Sequence, residues 1–287
     1  MKHVPKLPTT LDSLTAYRTA NQVDVAADGA TSTEAWDRFH SDPAYNDVRD
    51  HLVLCQQGLC GYCEQRLSLE TGQLIRYDQQ IEHVLPKSGG AGRTLDGTNF
   101  MLCCGGGSQK EKDPRYVKPS RHYAGGANVS CGQSKGDRDL AAGCDPREFP
   151  CGSRLVSVGL DGTLTPNEAA CAAAGVNPGD LERTINEVLN LNCERLRTAR
   201  QSVVGQISAW FVQLVTELLV GTHLTSQRQD AFREMLVEGR LLPDRHGHLH
   251  AFWTCERQYL EPWSSSWIAQ NHQVLGCAPA GAAPIDR

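Results

Sequence analysis

No long, uninterrupted apolar run occurs in this chain. Its most hydrophobic stretch, Ile207 to Leu224, is broken by Gln213, Thr216, Glu217 and His223, so it reads as a buried amphipathic helix and not as a membrane span. The opening residues, Met1-Lys-His-Val-Pro-Lys6, lack the apolar core of a secretory signal. A cytoplasmic location is therefore expected, where thiols stay reduced, and the clustered cysteines among the twelve suit metal ligation better than disulfides. A surplus of positive charge is missing as well. The formal charge is −5, which excludes a chain coated in basic residues and leaves nucleic-acid binding to a local patch or a partner's surface. No internal repeat is visible.

What is present can bury a core. With 287 residues, 40% of them hydrophobic, one or two domains are expected. Leu11, Leu14 and Tyr17 mark a short helix near the start. Trp36 and Phe39, then Val48, Leu52 and Cys55, space two more, the second over about 47–57. Trp36 and Phe39 read as core residues. Two short strands joined at Thr71-Gly72 fit the pattern between Glu64 and His83. A Gly-rich loop follows Pro86, and residues 105–128 are too irregular for a regular element. Between Ser108 and Arg138 there are seven Lys or Arg against three Asp or Glu. This local excess is the best candidate for touching phosphates.

Past Asp145-Pro146 the character changes. Leu155-Val-Ser-Val-Gly159 and Asp161-Gly-Thr-Leu-Thr-Pro166 read as a hairpin with an Asp-Gly turn. Leu181, Ile185, Val188 and Leu189 mark a helix. Asn192 is placed to cap a long one bearing Leu196, Ala199, Val203, Ile207, Trp210, Leu214 and Leu218 on one face. A third helix is expected over 227–238, and a disordered tail over 277–287.

The chemistry concentrates between Cys60 and Asp139. Cys60-Gly-Tyr-Cys63 is a knuckle that brings two thiolates to one tetrahedral zinc ion, and Cys103, Cys104 and Cys131 offer the remaining ligands. The βαβ context of a redox Cys-x-x-Cys pair is missing. Glu82-His83 is the candidate reactive pair. Phosphodiester hydrolysis needs a base for water and a cation on the phosphate; a neutral His suits the first, and a carboxylate holding a hard metal the second. His246, His248 and His250 alternate and could chelate, although an exposed turn is the simpler reading.

Cys60-x-x-Cys63, Glu82-His83-x-x-Pro86, Asn99 and Cys131-x-x-x-Lys135 resemble the HNH endonuclease family. The stretches Gln57 to Glu64, Ile81 to Ser88 and Lys135-Gly-Asp137 resemble its PtuB branch, found in Septu and retron-linked antiphage systems. Trp36, Asp145-Pro146, Gly162 to Pro166 and Thr184 to Asn192 also fit that branch, so the resemblance spans about 30–220.

The resemblance implies an α+β fold with a ββα-metal core, flanked by N-terminal helices and a C-terminal helical region. It implies His83 as the general base, Glu82 as the metal-binding acid before it, and Asn99 as the holder of the His-bearing loop. It implies Cys60, Cys63, Cys104 and Cys131 around a structural Zn2+, with Cys103 adjacent to the preferred Cys104. Mg2+ or Mn2+ would be the catalytic ion, DNA or structured RNA the substrate, and a PtuA-like ATPase the partner. Where many members carry a second metal ligand, this chain has Gly132; Asp137, Asn128 or His122 would have to substitute. Lys135 and Lys87 are candidates for phosphate binding. The corresponding division is 1–57 helical, 58–146 nuclease core, 147–276 hairpin and helices for partner binding, and 277–287 tail. A zinc-stabilised binding module without catalysis and a stand-alone restriction-type nuclease are the alternatives.

Overall fold

The computed structural model describes residues 1–7, 11–69, 71–75, 78–108, 126–220, 238–261 and 263–271. Four helices open it: α1 (Asp12–Ala20), α2 (Gln22–Val25), α3 (Gly29–His40) and α4 (Pro43–Cys55). The last begins several residues earlier than hydrophobic spacing predicts. Asp42 accepts the Ala44 N–H at 2.9 Å, and Pro43 sits in the first turn, a start that capping chemistry sets and periodicity misses. Beyond α4, the Gln56 side chain donates to Leu59 O and Leu102 O and accepts from Leu102 N. It thereby fills a strand edge with a side-chain amide.

Strand β1 (Gln79–His83) pairs antiparallel with β2 (Phe100–Cys104), placing Gln79 opposite Cys104 and His83 opposite Phe100. Among the described residues, the expected pairing across Thr71-Gly72 shrinks to one isolated bridge, Ser68 with Leu74, and another joins Leu59 to Arg66 across the Cys60–Cys63 turn. Phe100-Met-Leu-Cys-Cys104 is buried at every position and is the apolar partner β1 requires. The second ribbon, β3 (Val156–Val158) with β4 (Leu164–Pro166), is the expected hairpin. Its Asp161 accepts the Thr163 N–H at 3.0 Å. At Gly162, φ is +79° and a Cβ would collide with Arg197 O, so glycine is required for the turn and for its close approach to the next helix.

A five-residue helix, α5 (Cys131–Lys135), lies between the ribbons in sequence. After β4 come α6 (Glu168–Ala174) and α7 (Pro178–Arg183), the latter continuing into a π-turn over Thr184–Val188. The long helix α8 spans Glu194–Val220. Asn192 does not cap it as expected. Its carboxamide pairs with both Leu164 N and Leu164 O and so ties β4 to the start of α8. The chain closes with α9 (Trp253–Tyr259) and α10 (Trp263–Gln270). All but the last residue of the helix expected over 227–238, and the tail over 277–287, lie outside the described residues.

The architecture is α+β: helices around two small antiparallel ribbons. Its main apolar core runs from the N-terminal helices through Leu67, Phe100 and Leu155 to Leu196. A smaller one gathers Leu59, Leu241, Leu249, Trp253, Leu260 and Ile268. Among the described residues, no helix is long and apolar enough to cross a membrane.

Candidate metal centre and active site

Four thiols converge where the two halves of the motif meet. Cys60 and Cys63 flank the turn after α4, Cys104 ends β2, and Cys131 opens α5. All are buried, and their sulfurs lie within 4.8 Å of one another. Measured separations are 3.9 Å for Cys60–Cys131, 3.7 Å for Cys63–Cys104 and 3.8 Å for Cys104–Cys131. Four thiolates at about 2.3 Å from one ion form a tetrahedron with edges of about 3.8 Å, so this donor set fits a single tetrahedral metal.

Strand geometry also separates the two adjacent cysteines. Neighbours on a strand face opposite ways; Cys104 turns to the cluster, while Cys103 meets the Gln80 amide at 3.3 Å. Burial pushes the Cys103 thiol well up, which keeps it protonated. Two donors reach the cluster sulfurs: Gln65 N–H to Cys63 at 3.4 Å and the Ser130 hydroxyl to Cys131 at 3.6 Å. Cys131 adopts φ +57°, a left-handed conformation that non-glycine residues hold only under structural constraint. Its N–H donates to Leu189 O at 2.8 Å.

The same alternation sends Glu82 and His83 to opposite faces of the ribbon. Glu82 turns toward α5, where Lys135 Nζ lies 3.2 Å from its Oε1. A Cβ at Gly132 would collide with its other oxygen. The position that lacks the expected second ligand is thus filled by Glu82 itself. Burial pushes the Glu82 carboxyl up, and the Lys135 charge opposes that shift. Lys135 is 1% exposed and also donates to His83 O at 3.1 Å and Gly136 O at 3.2 Å. Expected at a phosphate, it lies inward in this structure. Its ammonium is the buried counterion of Glu82, because the turn of α5 that brings Cys131 to the thiols also carries Lys135 inward.

His83 turns to the other side. Trp36 and Phe100 meet it edge-on, with ring centroids 4.5 and 5.2 Å away, so Trp36 packs against the candidate base as well as the core. His83 Nε2 lies 2.9 Å from Thr94 O. A carbonyl only accepts, so Nε2 carries the proton and Nδ1 the free lone pair. Burial, reinforced by the charges of Lys87 and Lys135, pushes its pKa down to about 4. The imidazole is neutral near pH 7. Asn99 closes the loop beyond it: its oxygen accepts Leu85 N–H at 2.8 Å, and its amide donates to Leu85 O at 2.8 Å and Arg93 O at 3.4 Å.

The remaining candidates are dispersed. Lys87 stands half-buried in a 3-10 turn over Lys87–Gly89, close enough for its charge to act on His83. Asp137 is exposed just past α5. Asn128 is buried, with its oxygen accepting Arg195 N–H at 3.0 Å. His122 and most of the basic loop lie outside the described residues. His246 and His248 are drawn together by Asp244, which accepts both their N–H groups. His248 is buried, with Nδ1 2.8 Å from Ser68 Oγ, so the expected exposed turn contributes a core histidine. Among the described residues, the four cysteines are the one group of three or more His, Cys, Asp or Glu side chains that converges. Among the described residues, a divalent ion at Glu82 finds one carboxylate, already paired with Lys135, and no further His, Cys, Asp or Glu grouped with it, which is not a complete site by itself.

Sequence reasoning missed Arg195, whose guanidinium reaches Gln65 Oε1 at 3.1 Å and Ser130 Oγ at 2.7 Å. The available signal was the run Gly105-Gly106-Gly107. A Cβ on Gly106 would strike Ser130 O, and one on Gly107 would lie 2.9 Å from Arg195 Nε.

No family model matches the chain. Over 194 residues, 59% of this chain and 70% of the relative, it is 27% identical to an Escherichia coli protein named "Retron Ec83 putative HNH endonuclease". The relative carries the family name that the motifs suggest.

Proposed function

We propose that this chain is a metal-dependent HNH endonuclease that hydrolyses nucleic-acid phosphodiester bonds. The observation that carries the reading is His83, a neutral imidazole at the end of a ribbon, fixed by Thr94 O beside a loop that Asn99 holds. In this reading, Nδ1 accepts the proton of the attacking water. Asn99 keeps the loop at its height, and Lys87 neutralises phosphate at the rim. The four cysteines hold Zn2+ as a structural ion. Mg2+ or Mn2+ supplies charge neutralisation when bound, with Glu82 as its protein anchor. Residues 58–146 are then the ββα-metal core, and 147–276 the surface for a partner.

The retron in the relative's name, together with a net charge of −5, supports an effector nuclease of antiphage defence in the cytoplasm. Recruitment to DNA or RNA would fall to a PtuA-like ATPase. A second reading, a zinc-stabilised binding module without catalysis, is favoured by Gly132 and by the Lys135–Glu82 pair. The test compares wild type with His83→Ala in Mg2+ and in Mn2+, on DNA and on structured RNA, with and without the ATPase. Loss of cleavage in the variant alone supports the nuclease. Equal digestion removes His83 as the base, and wild-type inertness under every condition favours the binding module.

A further inference from the structure

A metal held by four thiolates carries a net charge of −2, and burying such a group demands compensation from the protein. The compensation has a definite source here. Arg195, in the first turn of α8, aims its two terminal nitrogens at the two halves of the cluster. One donates to Gln65 Oε1 at 3.1 Å, and the backbone N–H of that same Gln65 donates to Cys63 Sγ at 3.4 Å. The other donates to Ser130 Oγ at 2.7 Å, and that hydroxyl donates to Cys131 Sγ at 3.6 Å. Ser130 is 0% exposed, and the Nε of Arg195 is buried with no hydrogen-bond partner among the described residues. The guanidinium is therefore held for its fork and its charge.

Placement reinforces the point. The Arg195 N–H is bound by Asn128 Oδ1, and Asn190 donates to Ala127 O and Val129 O. The chain approaching Cys131 is thus laced to the start of α8. Gly106 and Gly107 supply the clearance that lets β2's exit pass over this junction. A neighbouring buried arginine makes the contrast. Arg200 donates to Gly162 O, Leu191 O and Asn192 Oδ1, tying the helix to the hairpin and not to the thiols.

We infer that Arg195 is a second-sphere positioning residue that neutralises the four-thiolate metal centre, orients the donors to Cys63 and Cys131, and couples that centre to α8. The inference rests on the four cysteines holding a metal. The experiment takes the purified full-length chain, measures bound zinc, and follows its transfer to a chromogenic chelator. The same variants are loaded with Co2+ and their thiolate-to-cobalt charge-transfer bands recorded.

Arg195→Met is expected to release zinc about ten- to a hundredfold faster than wild type, the range typical of lost outer-sphere partners. Its cobalt band should move to lower energy, because thiolates without donors are easier to oxidise. Arg195→Lys should fall between the two. Arg200→Met should lower thermal stability while keeping the wild-type release rate and cobalt band. Should Arg195→Met not fold, Ser130→Ala removes only the hydroxyl and should still shift the band. Zinc-free wild type would overturn the metal reading itself. Zinc-loaded wild type with unchanged release and spectra in Arg195→Met, or in Ser130→Ala where that stands in, would overturn the role of Arg195 alone.

Discussion

The two antiparallel ribbons of this chain differ in one strand: β2 is as apolar as the hairpin β3–β4, but β1 carries polar groups inward. β3–β4 buries Val156, Val158 and Leu164, and it turns locally at Asp161-Gly162. β1–β2 buries Gln79 and Glu82, half-buries His83, and returns only after the loop 84–99. An apolar ribbon holds itself by burial. Polar groups turned inward need partners: Leu67 O accepts the Gln79 amide, Lys135 serves Glu82, Thr94 O serves His83, and Asn99 serves the loop backbone. For its inward side chains, strand β1 therefore depends on polar partners outside the ribbon, where β3–β4 does not.

Removing the metal should separate the ribbons most. Cys60→Ser is expected to abolish zinc binding and, because structural zinc is worth on the order of 10 kcal/mol, to unfold the region around β1–β2. Bound-metal analysis and amide exchange check this, and β3–β4 should retain more protection.

Next in size, Lys135→Met leaves Glu82 buried without its counterion and should cost about 3–5 kcal/mol in denaturant unfolding. Glu82→Gln in the same background should recover part of that loss.

Acid should act on the first ribbon as well. His83 titrates near 4 when folded, against its ordinary 6.5, so the unfolded chain binds the extra proton between these values. Stability contributed by His83 is then full above about 6.5, falls with pH, and is gone below about 4, a loss of up to about 3 kcal/mol. His83→Gln should flatten that limb of the stability profile.

The smallest effects give the cleanest contrast. Asn99→Ala and Gly162→Ala should each destabilise by about 2 kcal/mol, one through lost hydrogen bonds and the other through collision and backbone strain. Cleavage activity should fall only in Asn99→Ala. Equal activities in the two variants would place the loop outside the active centre.

Much of this was legible in the residue order. Cys60-x-x-Cys63 announced a knuckle and Asp161-Gly162 a hairpin turn, because each signal is local; Glu82-His83 with Asn99 marked the candidate site. Less legible were partners distant in sequence. The pairing of β1 with β2 rests on Phe100 to Cys104, an apolar run that periodicity cannot tell from a buried helix segment. The choice of Cys104 over Cys103 depends on which face of β2 meets the knuckle.

Residue order alone carried the candidate ligand types, the candidate base and the residues of both turns, since side-chain chemistry and short-range geometry need no fold to be read. Tertiary structure decided how they are spent. It turned Lys135 inward onto Glu82, filled the space beside Gly132 with that carboxylate, and set Arg195 between Gln65 and Ser130. Each of these is a charge or close contact between elements that chain order keeps apart, and only packing brings them within hydrogen-bond range.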